Sequence, residues 1–449
     1  MNDYGLYLSI FGVSFHYNYL HIFQELLGVP YMLRFAISPT GDMHIGNLRV
    51  AILNFLVAQQ RKEGFIVRID DTNKARNIEG KDTEIMQILE KFALNHESVF
   101  HQSEHLHMHQ TLAIKLLAQD KAFICTCTEE ETNKTPHCSG HCSNADKADL
   151  TKIKASGTPF VIRINKPIED LIITDLIHDS IKTKADNMDS FVILEKDGSP
   201  SDIFASACDD MLSGINILIC EDEQVLSTAK QLHIKKQLGF DAQTQYLHLP
   251  VVTHGDDHLS LKWLFSEGYV PDAIINYLLL LDYTQAPSEV FTLPDAIEWF
   301  NIKNISTSSV EFDLDKLSFI NRQHLKNMED KALSSLFGFA DADIGKLAKL
   351  YLEEVSTTTE IDKKIKAIFS PKHFEGEYSE QMRTLENLIQ NAPMFSTFKD
   401  FSSYLMQKSG LKDDNFFKPL RLLITAEADG PDLNNLYSYI KSYILEIAS

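Results

Sequence analysis

The sequence is poor in cysteine, poor in basic residues relative to acidic ones, and free of long apolar runs. Six cysteines in 449 residues exclude a disulfide-dense secreted scaffold. No uninterrupted apolar run reaches membrane-spanning length, so we expect no membrane partner. Lysine and arginine total 42 against 63 acidic residues, which gives a formal net charge of −21. This balance argues against a protein that binds nucleic acid over a generally basic surface, although it allows a local basic groove.

Internal repeats and low-complexity tracts are also absent, and the length allows several domains. The first 31 residues lack a basic start and a clean apolar core, so they make a poor secretory signal. We expect residues 1–31 to be an N-terminal extension, either packed on the surface or produced by a start site placed too early. A more orderly pattern begins at Met32, and we expect a cytoplasmic protein.

The segment after Met32 predicts a βαβ unit. "MLRFAI" (32–37) and "FIVRI" (65–69) are strand-like runs, and between them apolar residues recur at helical spacing at Ile45, Leu48, Ile52, Phe55 and Leu56. Ligands on such units bind beyond the carboxyl ends of the parallel strands. Further strand-like runs at 160–164, 190–198 and 215–220 indicate a split α/β domain, and the chain beyond Pro250 is predicted to be mostly helical.

A phosphate site is predicted at "SPTGDMHIGNLR" (38–49), where a Pro/Gly turn leads into the helix. The free N–H groups and positive dipole end of a helix N-terminus suit an anion. His44 can donate to a phosphate oxygen, and Gly46 lets a nucleotide base approach the backbone. From composition alone, an ordinary turn with an exposed histidine remains the alternative.

Four cysteines predict a metal site in the segment 123–142. They form a C-x-C pair and a C-x₃-C pair, and four thiolates from two short arms can close a tetrahedral zinc site. The predicted ligands of one structural Zn²⁺ per chain are Cys125, Cys127, Cys138 and Cys142. His137 and His141 are alternative ligands if one of the cysteines does not bind the metal.

Two motifs near the start resemble a known family. "RFAISPTGDMHIGNLR" (34–49), followed by "RIDDTNKAR" (68–76), is similar to the opening of glutamyl-tRNA synthetases, which are class I aminoacyl-tRNA synthetases. "HIGN" (44–47) stands for the family's ATP-binding HIGH signature. The resemblance runs from about Met32 to the C-terminus. It implies ATP-dependent activation of glutamate with Mg²⁺ and its transfer to the 3′ end of tRNA(Glu).

The resemblance also implies roles for individual residues. His44, Gly46 and Asn47 would form the ATP-binding catalytic motif. Arg34 would pair with the side-chain carboxylate of glutamate, because a bidentate guanidinium distinguishes a carboxylate from an amide. Ser38 and Asp70 would hold its amino group, and the glutamate pocket would be completed by Ala36 and Ser206.

The fold class implied is a Rossmann-like α/β catalytic domain with an inserted α/β domain, followed by all-α stem-contact and anticodon-binding-like domains. The predicted division is an extension at 1–31, the Rossmann first half at 32–100, the inserted acceptor-binding zinc domain at 101–189, the Rossmann second half at 190–250, a stem-contact-like domain at 251–325 and a helical anticodon-binding-like domain at 326–449.

The second half of the predicted active site departs from the family pattern. Asp202 and Ile203 replace a Tyr-Asn or Tyr-His pair whose tyrosine belongs to the glutamate pocket. Cys220 stands in place of an arginine that binds the α-carboxylate. We interpret Cys220 as a small buried strand residue and not as a nucleophile, because the sequence shows no base beside it.

The mobile KMSKS signature is also missing. "YLHLPVV" (246–252) and "GYVPDAIINYLLLL" (268–281) match the elements on either side of that loop, but the connection between them is several residues shorter here. We interpret "HGDDH" (254–258) as a replacement connection, with no metal implied. Lys262 is the nearest candidate to supply the positive charge of the missing loop. Its predicted position at the start of a helix makes it a poor replacement for that loop.

Three interpretations follow. The first is a glutamate–tRNA ligase whose activity is impaired by loss of the KMSKS loop. The second is a catalytically silent tRNA-binding paralogue. The third, a glutamyl-queuosine tRNA(Asp) synthetase, is disfavoured because such short relatives lack the long helical C-terminal half. We expect a monomer that binds tRNA(Glu), with tRNA(Gln) a second candidate, through a groove whose candidate residues are Lys235, Lys236, Lys418 and Arg421.

Overall fold

The structure is a computed structural model that describes residues 31–127, 138, 142–144, 152–153, 155–240, 244–253, 259–281, 283 and 285–448. The predicted extension therefore lies outside the described residues, apart from Tyr31. The chain divides into two compact units. The first comprises Met1–Ser260, Leu278–Pro287 and Phe291–Phe312, and the second comprises Leu261–Tyr277, Ser288–Val290 and Asp313–Ser449.

The described strands, in chain order, are β1 (Met32–Ile37), β2 (Gly64–Ile69), β3 (Ser98–His101), β4 (Ala122–Cys125), β5 (Val161–Ile164), β6 (Leu171–Thr174), β7 (Ser180–Thr183), β8 (Val192–Leu194), β9 (Ile217–Glu221), β10 (Gln245–Leu249), β11 (Val252–Thr253) and β12 (Val310–Glu311).

The described α-helices are α1 (Ile45–Arg61), α2 (Lys81–Lys91), α3 (Leu106–Ala118), α4 (Asp202–Leu212), α5 (Val225–Gln237), α6 (Leu261–Glu267), α7 (Pro271–Leu280), α8 (Leu293–Trp299), α9 (Leu314–Asn327), α10 (Asp330–Ser335), α11 (Ala342–Tyr351), α12 (Thr358–Phe369), α13 (Ser379–Gln390), α14 (Phe398–Ser409), α15 (Asp414–Thr425), α16 (Leu433–Ile440) and α17 (Ile444–Ile447).

The first unit is built on parallel strands. β1 pairs with β2 from Met32↔Gly64 to Ile37↔Ile69, and β2 pairs with β3, both in parallel. On the other side of β1, an isolated parallel bridge joins Met32 to Ile215 just before β9, and β9 pairs in parallel with β10. The strand order 3-2-1-9-10 is that of a Rossmann-like sheet. The predicted βαβ unit and the Rossmann-like fold class are confirmed.

The apolar stripe of α1 holds this sheet in place. All five residues whose helical spacing predicted the helix are buried. The helix contacts β1 and β2, whose residues Leu33, Phe35 and Val67 are also buried. Because β1, β2 and β9 run in parallel, their carboxyl ends at Ile37, Ile69 and Glu221 meet at one edge, where the site residues follow.

The inserted segment forms smaller antiparallel sheets. β4, β5 and β8 make one sheet, and β6 and β7 form a two-stranded pair. The predicted strand at 190–198 is shorter than expected, at Val192–Leu194. The strand ends there because Gly198, at a φ of 82°, turns the chain, and its N–H donates to the carbonyl of Glu195 at 3.0 Å.

The second unit is helical, as predicted, and contains α6, most of α7 and α9 to α17. Side-chain caps stabilise several of its helix starts. The hydroxyl of Thr357 accepts from the backbone N–H of Glu360, and the Glu360 carboxylate accepts from that of Thr357. In the described part of the chain, no helix combines the length and the apolarity needed to cross a membrane.

Candidate active site

A buried network of two arginines and one aspartate forms the centre of the candidate site. Arg34 on β1 donates to both carboxylate oxygens of Asp210 on α4, at 2.8 Å from Nε and 3.1 Å from Nη2. Arg68 on β2 donates to the same carboxylate at 2.7 Å. Asp210 is fully buried and Arg68 is 2% exposed. Isolated buried charges are costly, so each of these groups depends on its partners.

Arg68 also joins two of the predicted glutamate-binding residues. Its Nε donates to Asp70 at 2.7 Å, and its Nη2 donates to the hydroxyl of Ser206 at 3.1 Å. The backbone N–H of Asp70 donates to the carbonyl of Ile37 at 2.9 Å, which fixes Asp70 at the carboxyl ends of β1 and β2. Arg68, which was not among the predicted site residues, therefore joins Asp70 and Ser206 directly and Arg34 through Asp210.

The charges of the network perturb the ionisation of its members. Burial alone would raise the pKa of Asp210, but Arg34, Arg68 and Lys235 hold it well below its usual range. Burial lowers the pKa of Lys235, whose Nζ lies 4.0 Å from Asp210 and makes no hydrogen bond to any residue that the structure describes. The prediction that Lys235 lines a tRNA groove is wrong, because its side chain is buried beside this network.

The remaining predicted glutamate-binding residues lie on β1 or directly after it. Ala36 is half-buried and pairs in register with Arg68. Ser38 follows the strand and is exposed. Arg34 engages Asp210 through Nε and Nη2 only, so Nη1 makes no hydrogen bond within the described residues. A second edge of the guanidinium is therefore available to a further carboxylate.

His44 caps the helix that starts the predicted ATP motif. Its Nδ1 accepts from the backbone N–H groups of Gly46 and Asn47, at 3.2 and 3.4 Å. The side chain of Asn47 accepts in return from the backbone N–H of His44. An accepting Nδ1 puts the ring proton of a neutral imidazole on Nε2. The cap thus sets the tautomer with which His44 can donate to a phosphate.

Gly46 lies under the side chain of Glu221. A Cβ at position 46 would collide with the Glu221 carboxylate and would lie 3.0 Å from the His44 ring. Glu221 ends β9, one residue after Cys220. A carboxylate thus occupies space over the glycine that was predicted to receive the nucleotide, and the sequence analysis did not foresee this contact.

The short connection is held at both ends by α1. Arg49 donates to the carbonyl of Pro250 at 2.8 Å, before the connection. After it, the backbone N–H of Ile45 donates to the carbonyl of Leu259 at 3.1 Å. The "HGDDH" residues themselves, 254–258, lie outside the described residues. In the second unit, Lys262 is an exposed residue at the start of α6, as predicted.

Cys220 has a histidine beside it, contrary to our interpretation. It is partly exposed and pairs in register with His248 on the neighbouring strand. His248 Nδ1 lies 2.8 Å from a carboxylate oxygen of Asp175, and its Nε2 lies 3.0 Å from the hydroxyl of Thr228. Burial lowers the pKa of His248, but hydrogen bonds with Asp175 and Cys220 raise it to about 9. Because His248 lies 28 positions further along the chain, only strand pairing reveals it.

The four predicted zinc ligands converge in the inserted segment. Their sulfur atoms all lie within 4.8 Å of one another, and Cys127 Sγ lies 3.7 Å from both Cys138 Sγ and Cys142 Sγ. A tetrahedron with zinc–sulfur bonds of about 2.3 Å has edges of about 3.8 Å. Burial and the neighbouring thiols raise the pKa of Cys127. The donor set fits zinc, whereas His137 and His141 lie outside the described residues.

The fold and the HIGN-type helix start define the chain as a class I tRNA synthetase. Residues 31–319 match the family of class I tRNA synthetases (E and Q), catalytic domain, and the chain belongs to this family. A relative from Sulfurovum sp. (strain NBC37-1), named glutamate–tRNA ligase 2, is 58% identical over 429 residues, 93% of this chain and 100% of the relative. One from Sulfurimonas denitrificans, with the same name, is 44% identical over 431 residues, again 93% and 100% of the two chains.

Solved structures agree on the fold. A glutamate tRNA ligase from Elizabethkingia meningosepticum, in complex with its amino acid, has a TM-score of 0.78 at 23% identity and covers 93% of this chain and 98% of that one. The glutamate-tRNA synthetase of Elizabethkingia anophelis has a TM-score of 0.76 at 23% identity and covers 93% and 99%.

Proposed function

We propose that the protein is a glutamate–tRNA ligase whose activation step is slow. It would join glutamate to the α-phosphate of ATP with release of pyrophosphate, and then transfer the glutamyl group to the terminal ribose of tRNA. The observation that supports this proposal best is the hydrogen-bonded network that links Arg34, through Asp210 and Arg68, to Asp70 and Ser206. The full-length relatives that bear the ligase name favour it over a silent paralogue.

Each predicted contact has a physical basis in the network. The second edge of the Arg34 guanidinium would receive the side-chain carboxylate of glutamate. The ammonium would lie near Asp70, whose remaining lone pairs are not all used by Arg68. Ser38 and Ala36 on the same strand end would complete the pocket. Arg68 is a positioning residue, because it holds Asp70 and Ser206 and is itself buried.

ATP would bind at the start of α1. The Nε2–H of His44 would donate to a phosphate oxygen, and the helix dipole would favour the anion. Mg²⁺ bound to the phosphates would offset their charge. The Glu221 carboxylate must move before a base can approach Gly46, which weakens ATP binding.

Zinc would be structural. Cys125, Cys127, Cys138 and Cys142 would fill all four positions of a tetrahedral site and leave none open for chemistry. Such a site would fix the end of β4 to the short helical turn that begins at Cys142. We further propose the six-part domain division given above, a monomeric state, a cytoplasmic location and tRNA(Glu) as the substrate, with tRNA(Gln) as the alternative.

Activation should be slow because two contacts of the family's active site are missing, and one of them, that of the KMSKS loop, is made mainly in the transition state. Loss of one preorganised contact to developing charge costs about 2.7–4 kcal/mol, or roughly 10²–10³ in rate. Replacement of the family's arginine by Cys220 removes a charge-assisted bond worth about 1.5–3 kcal/mol. Together they indicate a deficit of at least about a thousandfold.

The test is glutamate-dependent ATP–pyrophosphate exchange with tRNA present, beside an intact relative. A His44→Ala variant purified in parallel sets the floor, including any contaminating host enzyme. We expect exchange above that floor but about a thousandfold below the relative. Exchange within tenfold of the relative would show that activation is not slowed and leave the ligase assignment standing. Exchange and tRNA charging both equal to the His44→Ala floor would refute the ligase proposal itself.

A further inference from the structure

We propose that His105, His109 and Asp209 form a second metal site, for a divalent transition metal ion such as Zn²⁺. His105 ends the short 3₁₀ turn before α3, and His109 lies in the first turn of that helix. Asp209 is on α4, next to Asp210. The site is separate from the four cysteines and requires no ligase activity.

The three side chains already meet at the geometry of metal ligands. His105 Nδ1 and His109 Nε2 each lie 2.9 Å from the same oxygen of Asp209, and the three ligand atoms lie within 4.8 Å of one another. Metal–ligand bonds of about 2.0–2.2 Å separate neighbouring ligand atoms by roughly 3 Å. His105, at the end of the 3₁₀ turn, and His109, in the first turn of α3, both direct a ring nitrogen at Asp209.

Hydrogen bonding alone leaves this buried cluster incompletely satisfied. Asp209 and His109 are fully buried, and so is Gln102, whose Nε2 donates to the other oxygen of Asp209 at 2.9 Å. Among the described residues, His109 Nδ1 and Gln102 Oε1 have no hydrogen-bond partner. A half turn of the Gln102 amide would direct Oε1 at the Asp209 carboxylate, where an oxygen is tolerated only if a cation lies between them. Gln102 is therefore placed to become a fourth ligand.

The cluster is closed on one side and accessible on the other. The His105 side chain is 30% exposed, whereas those of His109 and Asp209 are 0% exposed. Gln102 and Leu106 line an adjoining cavity of about 970 Å³. An ion can thus enter past the partly exposed His105.

The donor set decides which ions fit. Two imidazoles and one carboxylate suit zinc, iron, cobalt or nickel, whereas Mg²⁺ and Ca²⁺ prefer sites made of oxygen alone. The cysteine site offers thiolates only. A Co²⁺ ion would therefore report the two sites separately, because thiolate-to-cobalt charge-transfer absorption is produced by the cysteine site alone.

The test is Co²⁺ titration of the chelator-stripped full-length chain, followed by absorption spectroscopy and metal analysis. We expect two ions per chain, of which one gives charge-transfer bands and the other only the weaker bands of nitrogen and oxygen ligands. His109→Gln should lose the second ion and keep the first. His107→Gln is the matched control, because His107 is exposed on the same helix and lies outside the cluster.

His105→Gln provides a second variant at a partly exposed position, should the core variant fail to fold. This variant should weaken binding of the second ion at least tenfold. The proposal is overturned if the natural chain binds only the ion with charge-transfer bands. It is also overturned if folded His109→Gln or His105→Gln binds two ions as His107→Gln does.

Discussion

Replacing Asp210 by asparagine should destabilise the first unit more than any other single charge removal around the site. The carboxylate accepts three hydrogen bonds from Arg34 and Arg68, and both guanidiniums are at most 8% exposed. Removing one partner of a buried ion pair typically costs about 3–5 kcal/mol. Asparagine keeps one accepting oxygen, and Asp70 still pairs with Arg68, so we place the cost near 3 kcal/mol.

Such a loss should lower the melting temperature of the first unit by about 5 °C, because an unfolding entropy of about 2.1 cal/mol/K per residue amounts to about 0.6 kcal/mol/K for a unit of this size. Hydrogen exchange in peptides that cover β1 and β2 should rise in parallel. Asp202→Asn is the control, since Asp202 starts the same helix, is exposed and accepts one hydrogen bond from Thr72 at 3.2 Å. If the two variants melt together, Asp210 is not the counter-charge of the arginines.

The pH dependence follows from the direction of the pKa shift. The pKa of Asp210 is lowered in the folded state, so its contribution is fully present above the unfolded pKa of about 3.9 and is lost as pH falls towards the folded value. The stability difference between the natural chain and Asp210→Asn should stay constant from neutral pH to about pH 4 and shrink below it. A difference that disappears already near pH 6 would contradict this assignment.

Three further predictions address other parts of the chain. Glu221→Gly should tighten ATP binding several-fold in calorimetry, because it removes the carboxylate that lies over Gly46, where the base would approach. Glu223→Gly is an equal charge change at an exposed neighbour and should not tighten binding; equal effects would mean that net charge alone acts. The purified protein should carry about one zinc ion per chain at the cysteine site. The Cys125→Ala variant should lose that ion and keep ATP binding. Metal analysis that finds no zinc in the natural chain after expression in zinc-replete medium would refute the site. Binding of tRNA(Glu) should fall steeply with salt, because phosphate contacts release counterions; a flat response would mean that lysines and arginines do not carry the contact.

The first half of the site could be predicted because its determinants are local. The helical spacing of the α1 residues and the turn before His44 lie within one continuous stretch. The partners of those residues are not local. Arg68 and Asp210 are 142 positions apart, and only packing of α4 against the strand ends brings them together. A signal was present, because an arginine within an apolar strand requires a buried anion.

Cys220 illustrates the other kind of error. Its sequence neighbours contain no histidine, and the interpretation of an inert thiol followed from that neighbourhood. The base stands on β10, opposite Cys220 in the parallel register. The prediction for Lys235 was wrong for a related reason. Helical periodicity alone does not distinguish a lysine side chain that faces solvent from one that faces a buried carboxylate, here that of Asp210.

Hydrogen bonds to α1 hold both ends of the short connection, and this affects which step can limit the catalytic cycle. The carbonyls of Pro250 and Leu259 accept hydrogen bonds from Arg49 and Ile45, which both lie on the helix that begins the nucleotide site. Neither of these two residues can move away from that helix without breaking its hydrogen bond. We expect turnover to be insensitive to solvent viscosity and to be governed by the chemical step.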